Sequence, residues 1–200
     1  MFDKEILSGL TTLLTLIAFF PYVRAILKKE TQPHLFSWII WGLTTCLVFV
    51  AQLTGGGGIG AWPTGISGLI SLYIAVMAYR YKADTHITRM DWICLMGALL
   101  SIPLWAVTSD PFWAVLLLTT IDTIGFVPTI RKAYHQPFSE NMTMYLIMLF
   151  RNLVGILALE TYSATTILFP AVMSLTIVLA VPVIWFRRQR PSLSSAERRR

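Results

Sequence analysis

Charge is what this chain has least of: 13% of its 200 residues are Asp, Glu, Lys or Arg, about half the share usual in soluble domains, while 56% are apolar. That balance excludes an ordinary water-soluble globule and points to an all-α protein built in a bilayer. Cysteine is nearly absent. Cys46 and Cys94 both fall inside apolar runs, so no disulfide framework is expected. His34, His86 and His135 are dispersed among connections, giving no clustered metal ligands, and no serine has the context of a nucleophile elbow. An enzyme is therefore not expected, and neither metal nor cofactor is called for. The last apolar run contains no lysine, which excludes a retinal Schiff base. The glycine run 55–58 follows an apolar run and reads as a flexible turn, not a phosphate cradle.

Long apolar runs are what the chain does have. Stretches long enough to cross about 30 Å of hydrocarbon lie at 6–26, 35–53, 62–81, 90–107, 112–130, 142–159 and 166–186, predicting seven transmembrane helices. Helix 1 follows Asp3, Lys4 and Glu5 with neither a basic leader nor a small-residue cleavage site, so it is expected to stay in the mature protein. Positive charge is missing from alternate connections. Arg24, Lys28 and Lys29 follow helix 1, Arg80, Lys82 and Arg89 follow helix 3, and Arg131 and Lys132 follow helix 5. The tail carries Arg187, Arg188, Arg190 and Arg198 to Arg200, while the connections after helices 2, 4 and 6 have no Lys or Arg. The positive-inside rule then places the amino end outside and the carboxyl end in the cytoplasm. The net charge of +6 borders helices, so lipid is the expected partner and nucleic acid is not; the basic tail 190–200 suffices as a topology anchor.

Displaced by 107 residues, the chain falls into register with itself without a gap, 6–82 against 113–189. Pro21 meets Pro128, Arg24 meets Arg131, Pro63 meets Pro170, Ser67 meets Ser174, Arg80 meets Arg187, Phe19 meets Phe126, and Trp38 meets Tyr145. The run 90–107 belongs to neither copy. Three helices per copy would invert the second, and a single extra helix restores its direction. The expected plan is one membrane domain, 1–200, with two parallel three-helix repeats joined by an inversion linker helix, three, one, three. Prolines that open the helical ladder are its candidate hinges: Pro21 and Pro128, with Pro63 and Pro170 as an outer pair for which a helix start is the plainer reading.

The stretch Phe20-Pro21-Tyr22-Val23-Arg24, running on through Lys28 and Lys29 to Trp38, Trp41 and Gly42, resembles the first repeat of the SWEET and PQ-loop membrane transporters. Gly125-Phe126-Val127-Pro128 followed by Arg131 and Lys132 is similar to the same element of a second repeat. The resemblance covers the seven-helix body and implies a small-solute carrier that works by alternating access between its two bundles. Two departures are visible. The Pro-Gln dipeptide is replaced by Pro21-Tyr22 and Pro128-Thr129, and helices 3 and 7 lack the asparagine with which sugar-carrying members bind their substrate, which weighs against a sugar. Ser67, Ser71 and Ser174 are the comparable small polar groups there. A sensor, receptor or regulator on the same frame is the alternative, and self-association is compatible with either.

Two ionisable residues fall in the middle of spans, Asp122 in helix 5 and Arg151 in helix 6. Either costs about 2.5–3.5 kcal/mol at the bilayer centre, so each should face the interior with a partner, and their similar depth suggests they pair with one another. The displaced copy has Thr15 opposite Asp122 and Thr44 opposite Arg151, so charge is confined to one repeat. That asymmetry makes Asp122 the candidate for proton coupling and Arg151, with Asn152 beside it, the candidate for holding an anionic group. Trp38, Trp41 and Tyr145 are further candidates, as faces against which a solute could stack.

Overall fold

In a computed structural model, residues 3–30, 33–81, 87, 89–135, 137–139 and 142–189 are described, without the side chains at 127–129, 131–133 and 139. The described part is all helical. Seven α-helices follow in order: α1 Lys4–Leu27, α2 Leu35–Thr54, α3 Trp62–Arg80, α4 Arg89–Thr108, α5 Pro111–His135, α6 Met142–Ala158 and α7 Ala164–Gln189. Short 3₁₀ turns at Gly58–Ala61 and Pro137–Ser139 lead into α3 and α6. Local chemistry sets the boundaries. Asp3 caps α1 by accepting from the Glu5 amide at 2.9 Å, and His34 Nδ1 caps α2 by accepting from the Ser37 amide at 3.3 Å.

Five of the helices, α1, α2, α3 with its 3₁₀ lead, α4 and α7, are long and apolar enough to cross a membrane, which makes a multi-pass integral membrane protein. Of the other two, α5 runs from Pro111 to His135, and α6 has 17 residues, at the lower limit for a crossing.

Burial is turned inside out relative to a soluble protein. Leu13, Ile17, Phe20, Leu69, Leu100, Leu153, Leu175 and Leu179 are exposed, whereas Thr11, Thr15, Thr44, Gln52, Asp122, Arg151, Asn152 and Thr166 are buried. Lipid rewards this arrangement, since polar groups cannot face hydrocarbon and must satisfy one another within the bundle. Trp62, Trp92, Trp113 and Trp185 stand exposed near helix ends, as interfacial tryptophans do.

Close packing, not apolar burial, holds helices together in lipid, and small residues permit it. Along α2 and α3, a Cβ added to Gly68 would lie 2.6 Å from Cys46 Sγ, and one on Gly65 would lie 2.9 Å from the Phe49 ring. The α2–α3 pair is accordingly tight. α3 packs against both α1 and α2, and α7 packs against both α5 and α6. Contacts between these two groups run from α1 to α6 and from α2 to α5, with α4 lying outside against α5 and α2. One apolar cluster joins Ile40, Val48, Cys94, Leu118 and Phe169, and a second joins Phe19, Ile26, Trp38 and Ile74.

Candidate functional site

Arg151 is held in the interior by α6, and its guanidinium is directed across to the first three helices. Nε donates to Thr15 Oγ1 on α1 at 2.9 Å, one terminal nitrogen to the Pro63 carbonyl at the start of α3 at 2.7 Å, and the other to Asn152 Oδ1 at 2.8 Å. Thr15 can accept because its own hydroxyl donates to the Thr11 carbonyl at 2.9 Å. Asp122, on α5, instead accepts from Thr44 Oγ1 on α2 at 2.7 Å.

The expected pairing of the two charges therefore does not occur. Similar depth is insufficient, because α7 lies against both α5 and α6 and each of the two side chains turns to a different part of the first three helices. Lys28–Glu30 at 3.7 Å is an exposed ion pair worth little, and among the described residues neither Asp122 nor Arg151 has an oppositely charged partner. Each is bonded to neutral dipoles instead.

Beside Arg151 is a narrow cavity with room for about one water molecule, bordered by Thr11, Gln52, Pro63, Thr64, Asn152 and Pro170. Gln52 is 1% exposed. Its Nε2 donates at 2.8 Å to the Thr166 carbonyl, the acceptor that Pro170, lacking an N–H, leaves free four residues later in α7. That bond fixes which end of the amide is which and leaves Gln52 Oε1 buried without a partner.

A hydrogen-bonded cover closes the bundle end above the cavity. The amides of Glu160 and Thr161 donate to the carbonyls of Gly57 and Gly56 at 3.2 and 3.1 Å, and Glu160 Oε1 accepts from the Ile59 amide at 3.0 Å. Lys4 donates to the Leu159 carbonyl and stands 4.9 Å over the Tyr162 ring. The glycine run is thus an ordered clasp rather than the flexible turn expected of it. Gly56 and Gly58 have φ of +79° and +57°, which L side chains rarely adopt, and a Cβ on Gly58 would collide with the Glu160 carboxylate. At the opposite end, Arg187 Nε donates to the Tyr134 carbonyl and Arg188 Nε to that of Pro137, both at 2.9 Å, tying α7 to the last turn of α5 and the connection after it.

The remaining candidates divide. Asn152 borders the cavity, as do Pro63 and Pro170. Pro63 starts α3, where no backbone bond is lost, whereas Pro170 lies well inside α7 and so departs from a helix start. Pro21 is inside α1, and Pro128 lies along α5 with its side chain outside the described residues. Trp38 is buried among Phe19, Tyr22 and Trp41 at ring distances of 6.3, 5.1 and 5.3 Å, filling the bundle away from the residues that border the cavity at Arg151. Trp41 lies over α5, its Nε1 3.2 Å from where a Gly125 Cβ would be, and Tyr145 meets Phe126 edge to face at 5.9 Å. Ser174 and Ser71 donate back along their own helices to Pro170 and Ser67, so these hydroxyls serve the backbone, and Ser67 is half-buried. Gln52 is the residue the sequence reading passed over. A glutamine closing an otherwise apolar run, just ahead of the glycines, was its available signal.

In comparison with known proteins, no family model, no curated protein and no solved structure matches this chain.

Proposed function

We propose that the chain is a small-solute membrane carrier whose halves, 6–82 and 113–189, are parallel three-helix repeats joined by α4 and rocking about a site between them. The observation that carries this reading is a correspondence between two hydrogen bonds. Adding 107 to Thr15 gives Asp122, and adding 107 to Thr44 gives Arg151, so the bonds Thr15–Arg151 and Thr44–Asp122 exchange under the offset. Ring contacts follow the same rule, with Phe19–Trp38 corresponding to Phe126–Tyr145. Such exchange is what a two-fold axis along the membrane normal produces between parallel repeats.

A carrier needs a desolvated polar site between its halves and a mouth that closes on one side. The cavity at Arg151 and the clasp above it supply these parts, while Pro21 and Pro128 lie toward the other end as joints. With seven crossings and the amino end outside, the clasp seals the outer mouth. Asp122, the other buried charge across the half-to-half contact, is the proposed proton-coupling group.

Reconstitution into proteoliposomes tests this reading. Saturable solute uptake, abolished by Arg151→Gln and stripped of its pH dependence by Asp122→Asn, is the expected result. Ligand binding or partner capture without flux would replace the carrier with a sensor on the same frame.

A further inference from the structure

Arg151 has five N–H groups, of which three are committed to Thr15, Pro63 and Asn152, so one remains on each terminal nitrogen. The guanidinium is 7% exposed and has no carboxylate partner among the described residues. Gln52 borders the same cavity, and its buried Oε1 has no donor. A cation lacking its anion and an acceptor lacking its donor thus share one space.

We infer that this space recognises a small carboxylate bearing a hydrogen-bond donor on the adjacent carbon, a 2-hydroxy or 2-amino acid, with its carboxylate on Arg151 and its hydroxyl or ammonium on Gln52 Oε1. The site deepens the carrier reading and rests on it for the motion that admits the solute, because the cavity as it stands has room for about one water. A simple inorganic anion would satisfy Arg151 but repel the Gln52 oxygen. A neutral alcohol would do the reverse. A ligand that carries both groups side by side answers both at once, and a buried polar group left unpaired penalises the analogue that lacks the match.

Thermal stabilisation of the purified full-length protein in detergent provides the test, with lactate and alanine as ligands, propionate as the acid without a donor, and lactamide as the donor without a charge. Lactate or alanine should raise the melting temperature saturably, propionate should bind about tenfold or more weakly, and lactamide should have no effect. In Gln52→Leu the preference for lactate over propionate should vanish, while Arg151→Lys should weaken all acids. The ligand series on the unaltered protein stands even where a variant fails to fold. Equal binding of lactate and propionate, or no stabilisation beyond that of sodium chloride at the same concentration, would overturn the inference. Stabilisation without uptake in proteoliposomes leaves the site and removes the carrier, whereas uptake of some other solute without binding of these acids does the opposite.

Discussion

Thr15 is the smallest group on which a large charge depends. Replacing it by valine keeps shape but leaves Arg151 Nε without its acceptor, at a cost of about 1–3 kcal/mol, measurable by unfolding in mixed micelles. Thr15→Ser should recover most of that loss. Thr44→Val removes the hydroxyl that donates to Asp122 and should destabilise to a similar degree. Arg151 and Asp122 were both legible as interior charges from their position in apolar runs, because a bilayer permits an ionised side chain few other places. Their partners were not. Hydropathy reports depth and says nothing about which helix a face is turned toward, so two charges at one depth looked like a pair when α7 lies against both their helices.

At the scale of the helix, Pro170 and Gln52 form a unit made from different elements: one removes a donor inside α7 and the other supplies it from the end of α2. Pro170→Ala returns an N–H to the Thr166 carbonyl, so Gln52→Leu should cost less in that background than alone, with a coupling of about 0.5–1.5 kcal/mol in a double-mutant cycle. The clasp offers a second prediction. Alanine at Gly58 must adopt a left-handed conformation, costing about 1–2 kcal/mol, and meets Glu160 besides, so hydrogen exchange at the Ile59 and Thr161 amides should accelerate. All seven helices could be read from apolar runs, yet the clasp could not. Four glycines in a row signal conformational freedom, and it is removed by bonds back to the end of α2 together with tertiary bonds from Glu160 and Thr161.

For the whole molecule, the alternation of basic and uncharged connections makes topology directly testable. With Cys46 and Cys94 replaced by alanine, a cysteine at Ser109 should react with an impermeant maleimide from outside the cell, and one at Lys29 only after permeabilisation. Reaction of both from one side would remove the seven-crossing plan. The direction of the Arg151 bonds also bears on how the protein is made. Apart from the bond to its neighbour Asn152, the guanidinium donates, among the described residues, to Thr15 and to the Pro63 carbonyl, both of which leave the ribosome long before it does. The first three helices would then offer α6 a receptacle when it enters the bilayer. A carboxyl-terminal fragment synthesised alone would reach the membrane with its arginine unclaimed, and co-expression of the amino-terminal fragment should rescue its insertion and its lifetime in the cell.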